Sequence, residues 1–308
     1  MNVEIWGTRG SIPAPGPETT RYGGNTSCVQ LTLSDGSILV LDAGTGIRNL
    51  GIGLPRTEQP IHILLTHLHL DHIQGLMFFP PLFRPDAHVV IWGPASSEAS
   101  LRDRIGRYIS APLTPVEVRE LPCQVSFQEA QTTEWEIGGA RIQAASVAHR
   151  GPTLGYRIEA DGSSVCYIPD HEPGLGASLS ELDEDWISGF GLARDATLLI
   201  HDSQYTDDEY SEHLGWGHCP VSDALALGRR TRAERLLLFH HDPLHSDDFL
   251  DALAGEVTGR WQDLGGRPGQ VELATERRRL ELRAGSIVPR HEPNLPKGAP
   301  ILGGSAPT

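Results

Sequence analysis

Residues 63–75 read I-L-L-T-H-L-H-L-D-H-I-Q-G, and this stretch decides how the rest of the 308-residue chain is read. An apolar run ending in Thr66 has the look of a buried strand, and it leads straight into His67, His69, Asp71 and His72. Residues two apart on an extended chain share a face, so His67 and His69 project together, while Asp71 and His72 fall where the chain turns toward a helix. Neutral imidazole and carboxylate are ligands of zinc and similar borderline ions. A lone histidine carries little information. Three histidines and an aspartate within six positions, delivered by a strand, offer one segment's side chains to two metal positions. A histidine-rich scavenging tract lacks that strand context.

The pattern H-x-H-x-D-H after a strand resembles the signature of the metallo-β-lactamase superfamily. The resemblance extends over nearly the whole chain, because further family-like segments follow in order. It implies an α/β fold, the αββα sandwich of two mixed sheets flanked by helices, with a metal site at one edge.

Length and composition agree with such a domain. At 308 residues and 39% apolar content the chain suffices for one large α/β domain, expected over residues 1–284. A Pro/Gly-rich tail over 285–308 is expected to be disordered or loosely draped. No charged-then-apolar leader opens the sequence and no apolar run nears eighteen residues, so the expectation is a cytoplasmic protein without a membrane span. Cys28, Cys123, Cys166 and Cys219 are scattered without a C-x-x-C pair, against a disulfide framework or a thiolate zinc site. The formal charge of −15 repels polyanions and disfavours a long nucleic-acid track, although a locally positive metal site still accepts a small phosphate ester.

Along the chain, residues 2–6 read as a strand, followed by the loop G-T-R-G-S-I-P-A-P-G-P. Strands at 27–33 and 38–42 are joined by the turn S-D-G-S, making the opening a β-meander. Asp42 begins D-A-G-T-G and is open to two readings, an ordinary turn or a carboxylate that orients a ligand histidine through its second nitrogen. A strand is expected at 88–94 and a helix over 96–108 with Ser97 and Glu98 as start residues. Strands follow at 125–129, 141–147, 154–159 and 164–168, the last two joined by A-D-G-S. The acidic run 181–185 reads as a solvated face or loop. A strand ends at His201 and Asp202, a helix begins near Val221, and a last strong strand, R-L-L-L-F, ends in His240 and His241.

The resemblance carries roles onto several of these positions. His149, just past a strand, matches a further ligand segment of the superfamily's phosphodiesterase branch, and Asp170 after V-C-Y-I-P matches the aspartate that bridges two metals. Neighbours on a strand point to opposite faces, so one of His240 and His241 reaches the metals. L-L-L-F-H at 236–240 parallels I-L-L-T-H at 63–67, which favours His240 and leaves His241 as the alternative. The implied set is His67, His69 and His149 on one metal, Asp71, His72 and His240 on the other, and Asp170 between. Two divalent ions, zinc with manganese or iron as alternatives, would share a water and lower its pKa to give a hydroxide nucleophile.

In the phosphodiesterase members a histidine backed by a carboxylate sits near the scissile phosphate, and here G-H-C-P supplies His218 and H-D-S supplies Asp202. Such a pair would serve as general acid or phosphate contact, together with Asp71 in the catalytic set. R-Y-G-G-N-T-S resembles a substrate-side segment, making Arg21 and Asn25 candidate phosphate-binding residues. Twenty residues separate His149 from Asp170, which leaves no room for the long Gly-Pro arm of the tRNA 3′-end endonucleases. The function implied is a dinuclear metal-dependent phosphodiesterase acting on a small cyclic phosphodiester or nucleotide. A carboxyl-ester, lactone or amide hydrolase on the same site is the alternative enzyme, and a nucleotide-binding sensor without turnover the alternative outside enzymes. The family also implies a homodimer through sheet-edge packing.

Overall fold

The computed structural model describes residues 1–130, 134–284 and 286–289. The glycine-punctuated opening forms the expected meander, β1 (Asn2–Gly7), β2 (Cys28–Thr32) and β3 (Ile38–Leu41). Strands and helices then alternate through α1 (Ile47–Gly53), β4 (Ile61–Leu64), α2 (Leu70–Ile73), β5 (His88–Pro94), α3 (Leu101–Tyr108) and β6 (Gln124–Ala130). A second antiparallel run follows, β7 (Glu134–Ile137), β8 (Ala140–Ser146), β9 (Leu154–Ala160) and β10 (Ser163–Ile168). The chain again changes to crossovers, with α4 (Phe190–Ala193), β11 (Leu198–Asp202), α5 (Asp207–His213), α6 (Val221–Arg230), β12 (Arg235–Phe239), α7 (Asp247–Asp263) and β13 (Val271–Leu273). Finally β14 (Arg279–Arg283) and β15 (Ser286–Pro289) return to the first sheet.

The first sheet has the order β15-β14-β1-β2-β3-β4-β5-β6 and the second β13-β12-β11-β10-β9-β8-β7. Each is antiparallel at one end and parallel at the other, β3 through β6 in the first and β10 through β13 in the second. Both are therefore mixed, as expected. Val3, Ile5, Val29, Leu31, Leu39 and Leu41 of the first sheet meet Ile142, Tyr156, Ile158, Tyr167, Ile200 and Phe239 of the second in one buried layer. The outer face of the first sheet is covered by α1 and α3, and that of the second by α6 and α7. This is the αββα sandwich.

Two expectations need correction. The helix expected over 96–108 starts at Leu101, because the Ser100 hydroxyl, and neither Ser97 nor Glu98, accepts the Asp103 amide, and the apolar spacing of Leu101 and Ile105 begins only there. The ordered domain also runs past residue 284. β15 pairs antiparallel with β14, Ile287 lying opposite Leu282 and against the inner core. The rest of the expected tail, 290–308, lies outside the described residues. Among the described residues no helix is long and apolar enough to cross a membrane.

The parallel halves of the two sheets position the site, since in open α/β sheets ligands gather beyond the carboxyl ends of parallel strands. The ends of β4, β10, β11 and β12 lead into His67, Asp170, Ser203 and His240. Leu31 tests the inner layer well away from those ends, being fully buried between the sheets. Substitution Leu31→Ala is expected to cost about 2–5 kcal/mol of unfolding free energy, seen as a lower urea midpoint at unchanged slope. A cost under about 1 kcal/mol would mean the two sheets are not closely packed there.

Candidate metal centre

Seven side chains from both sheets converge into two sets that share Asp170: His67, His69, His149 and Asp170, and Asp71, His72, His240 and Asp170. Asp170 divides its carboxylate between them. Its Oδ2 lies 3.6 Å from His67 Nε2 and 3.6 Å from His149 Nε2, and its Oδ1 lies 3.0 Å from His72 Nε2 and 3.3 Å from His240 Nε2. Asp71 Oδ2 stands 3.2 Å from His72 Nε2 and 3.3 Å from His240 Nε2, and His69 Nδ1 stands 3.2 Å from His149 Nε2. Ligands placed tetrahedrally at 2.0–2.1 Å from one zinc would be about 3.3–3.4 Å apart, the same range.

The orientation of each imidazole has a cause on its far side. His72 donates from Nδ1 to Asp42 Oδ2 at 2.8 Å, His149 from Nδ1 to the Gly217 carbonyl at 2.7 Å, and His240 from Nδ1 to Gln204 Oε1 at 3.0 Å. His67 Nδ1 meets the Thr66 hydroxyl at 3.0 Å, and that hydroxyl gives its own hydrogen to Asp42. With the hydrogens held on Nδ1, the Nε2 lone pairs of all four rings face inward. His67 Nε2, His72 Nε2 and Asp170 Oδ1 are buried and have no hydrogen-bond partner among the described residues. Unmet groups of this kind cost about 1–3 kcal/mol each, and a divalent cation is what would satisfy them. The donor set therefore fits two metal ions.

Electrostatics agree with the geometry. Burial lowers the pKa of His67, His69 and His149, so their rings stay neutral and able to coordinate. Burial also opposes a charge on His72, but Asp170, Asp71 and Asp42 around it outweigh that and hold its pKa well above the usual value, so this ring would give up its Nε2 proton to a cation that binds there. Burial would raise Asp170 and Asp71, yet the surrounding imidazoles keep both carboxyls ionised, well below their ordinary range.

Asp42 resolves in favour of the orienting role. Fully buried, it accepts from the Thr66 amide and hydroxyl, His72 and the Tyr167 hydroxyl, and it sits at a φ of 58°. His240 likewise adopts a φ of 63°, turning the chain at the end of β12 so that its ring enters the cluster. His241 points elsewhere, donating from Nε2 to the Ala274 carbonyl at 2.9 Å.

The structure brings His218 and Asp202 together. His218 donates from Nδ1 to Asp202 Oδ2 at 2.7 Å, and its ring lies parallel to His240 at 4.9 Å and edge-on to His149 at 5.0 Å. Burial works against charge on His218, but Asp202 outweighs it and raises the pKa to about 9. Asp202 is fixed in turn by the amides of His171 and Gln204.

Arg21 and Asn25 do not join the cluster. The Arg21 guanidinium pairs with Asp248 at 2.5 Å and Asp251 at 2.7 Å on α7, which spends its charge away from any phosphate. Asn25 is held at both its amide and its side chain by Glu276 and shapes the loop after β1. Several supporting residues have little or no signature in the sequence. Ser11 donates its backbone N–H to Asp71 Oδ2 at 2.8 Å, and Gly10 lies so close to the His240 ring that a Cβ there would sit 2.5 Å from Nδ1. Glu172, buried two residues after Asp170, accepts from the amides of Gly215 and Gly217 and from the Tyr210 hydroxyl, and so sets the loop whose carbonyl anchors His149. Its one local hint is its place in P-D-H-E-P-G. Gly217 itself has a φ of 92°, and a Cβ there would meet His149 Nδ1 at 2.4 Å.

Comparison with known proteins gives the same direction. The family described as Beta-lactamase superfamily domain matches residues 38–241. A protein named Ribonuclease Z from Mycolicibacterium paratuberculosis (strain ATCC BAA-968 / K-10) is 28% identical over 319 residues, covering 93% of this chain and 100% of the relative. Among solved structures, a diphosphatase from the PhnP family has a TM-score of 0.63 at 20% identity, over 92% of this chain and 98% of its own. Human tRNase Z, short form, has a TM-score of 0.61 at 22% identity, over 91% and 99%.

The anchoring role of Asp42 is open to test. Asp42→Asn puts an amide where two acceptors are needed and is expected to weaken metal binding about 10–100-fold, measured by competition with a chromogenic chelator. Unchanged affinity would remove Asp42 from the set of residues that orient the ligands.

Proposed function

This chain belongs to the β-lactamase superfamily, and from that premise we propose that it is a metal-dependent phosphodiesterase acting on a small phosphodiester or nucleotide. One observation carries the reading: an imidazole that belongs to neither ligand set, His218, is held by the Asp202 carboxylate against the rings of His149 and His240. Hydrolysis of a phosphodiester needs a proton for the departing alkoxide, and a histidine braced in this way can deliver one.

In this reading His67, His69, His149 and Asp170 hold one divalent ion, and Asp71, His72, His240 and Asp170 the other. When bound, such ions lower the pKa of a shared water toward neutrality and draw charge from the phosphoryl oxygens. The remaining work belongs to the chain. Asp42, Thr66, Gln204 and the Gly217 carbonyl fix the ligand rings, so little reorganisation is left for the moment of reaction. His218, donating to Asp202 through Nδ1, keeps Nε2 for the leaving oxygen. Asp202, tied to the His171 and Gln204 amides, keeps that ring from turning.

The relatives named for RNA processing make RNA the second reading. The small substrate is favoured because the interval between His149 and Asp170 is filled by β9 and β10, joined by a tight turn at Asp161 and Gly162, with no long arm to grip a folded RNA. The net charge of −15 points the same way. The four cysteines are all buried and unpaired, in keeping with a cytoplasmic setting.

The purified chain is expected to hydrolyse bis-p-nitrophenyl phosphate and to lose that activity to a chelator. For a cyclic nucleotide, whose leaving group is an alkoxide, substitution His218→Ala is expected to lower kcat about 10²–10⁴-fold with a far smaller change in KM, and to matter much less for bis-p-nitrophenyl phosphate, whose nitrophenolate leaves without a proton. Lactone hydrolysis surpassing phosphodiester hydrolysis, or indifference of cyclic-nucleotide turnover to His218→Ala, would contradict the reading. So would cleavage of a precursor tRNA faster than any cyclic mono- or dinucleotide.

A further inference from the structure

The cluster opens to solvent on the side of His69 and His149, its least buried members. A cleft of about 590 Å³ begins there, lined by His67 and His69 and by Glu98, Arg104, Arg107 and Arg150. Its size suits a small ligand. Its charge runs against the rest of the molecule: in a chain with 40 acidic and 25 basic residues, three guanidiniums meet a single carboxylate in one concave space.

The arginines are placed by separate elements. Arg104 and Arg107, three apart on α3, share one helix face. Arg150 comes from the loop that carries His149, and its Nε donates to the Gly215 carbonyl at 3.0 Å, which fixes the side chain while leaving the two terminal nitrogens uncommitted. Arg107 has no hydrogen-bond or ion-pair partner for its guanidinium among the described residues. Arg104 is steadied by the Pro94 carbonyl and stands 3.7 Å from Glu129, and its Nε is buried without a partner. Elsewhere on the surface exposed arginines meet carboxylates, Arg56 with Asp86 and Arg232 with Asp195. Arg107 and Arg150 are left open toward the cleft.

We propose that this cleft is a subsite for a second anionic group, a phosphomonoester carried by the substrate beside its scissile phosphodiester. The substrate class is then a small phosphorylated nucleotide or sugar phosphodiester. This rests on the phosphodiesterase reading of the neighbouring centre. Guanidinium pairs phosphate oxygens through two parallel N–H donors, and a concave wall concentrates the field of the three charges on the group that enters. Arg104 and Arg107 receive the phosphomonoester from the helix side and Arg150 from the His149 loop. The single carboxylate, Glu98, leaves the cleft net positive.

Two chromogenic esters isolate the effect. Thymidine 5′-p-nitrophenyl phosphate and its 3′-phosphorylated counterpart share the scissile bond and differ by one phosphomonoester. The full-length, metal-loaded chain is expected to favour the 3′-phosphorylated ester about tenfold in kcat/KM, through KM, equivalent to about 1.4 kcal/mol. Arg107→Ala and Arg150→Ala each lower that preference several-fold, the double variant brings the ratio near one, and Arg107→Lys retains most of it. A wild-type ratio of one, or a ratio untouched in the double variant, overturns the subsite. If neither ester is turned over, the phosphodiesterase reading fails, and calorimetric binding decides the subsite separately. Thymidine 3′,5′-bisphosphate is expected to bind the wild type about tenfold more tightly than thymidine 5′-phosphate, and the double variant is expected to lose the difference. Equal affinities in the wild type, or a single-stranded RNA held more tightly than the bisphosphate through these arginines, overturn the assignment.

Discussion

A carboxylate sealed among imidazoles is the constraint on which the rest of this structure depends. Asp170 is 2% exposed, its Oδ2 faces His67 and His149 and its Oδ1 faces His72 and His240, and Oδ1 has no hydrogen-bond partner among the described residues. Burying a charge without compensation is among the costliest things a fold can do. The chain offsets part of the cost with the imidazoles around this carboxylate, His240, His72 and His67. It surrounds Asp170 with rings whose lone pairs point inward, an arrangement that gathers negative and electron-rich atoms about a space suited to cations. The groups come from β4 in one sheet and β10 and β12 in the other, so the centre forms only when the sheets dock, and metal binding and tertiary folding are linked.

What sharpens the arrangement lies one layer out. Asp42, Thr66, Gln204 and the Gly217 carbonyl each take the second nitrogen of a ligand ring, and each is itself tied down. Asp42 is held by Tyr167 across the inter-sheet core, and Gly217 by Glu172. Three non-glycine residues with positive φ at this edge, Ser11, Asp42 and His240, mark where the backbone departs from easy conformations to aim these groups. Buried Arg9 plays a similar part for the loop before Ser11, donating to the carbonyls of Gly23, Asp242 and His245 and so joining the N-terminal turn to the segment after His240.

Much of this is legible in the chain. The segment 63–75 is local, with strand and ligands contiguous, so pattern and chemistry can be read together. His149, Asp170 and His240 each follow a recognisable apolar strand, and the parallel between 236–240 and 63–67 favours His240 over His241, although β12 ends at Phe239 and the positive φ at 240 makes the final turn. What stays hidden is carried by backbone atoms or long-range partners. The Ser11 amide on Asp71 and the Gly217 carbonyl on His149 leave no side-chain signature, since any residue type has a carbonyl and nearly any an amide N–H. Arg21 misleads because nothing nearby in sequence announces Asp248 and Asp251, which reach it from a helix 227 and 230 residues away. That helix, α7, turns Leu250, Leu253, Val257 and Trp261 inward at helical spacing, a stripe that its mixed polar sequence obscures. Arg104, Arg107 and Arg150 look like ordinary surface charges until the fold sets them around one cleft.

The chain thus combines a cation-hungry centre, an imidazole braced beside it and a basic cleft at its open side, each supported by different contacts. Anomalous diffraction from a crystal of the metal-loaded protein tests the first of these, on which the other two depend. The account predicts two peaks per chain, one among His67, His69, His149 and Asp170 Oδ2, the other among Asp71, His72, His240 and Asp170 Oδ1. A single peak, or density centred away from Asp170 with these side chains unligated, would contradict it.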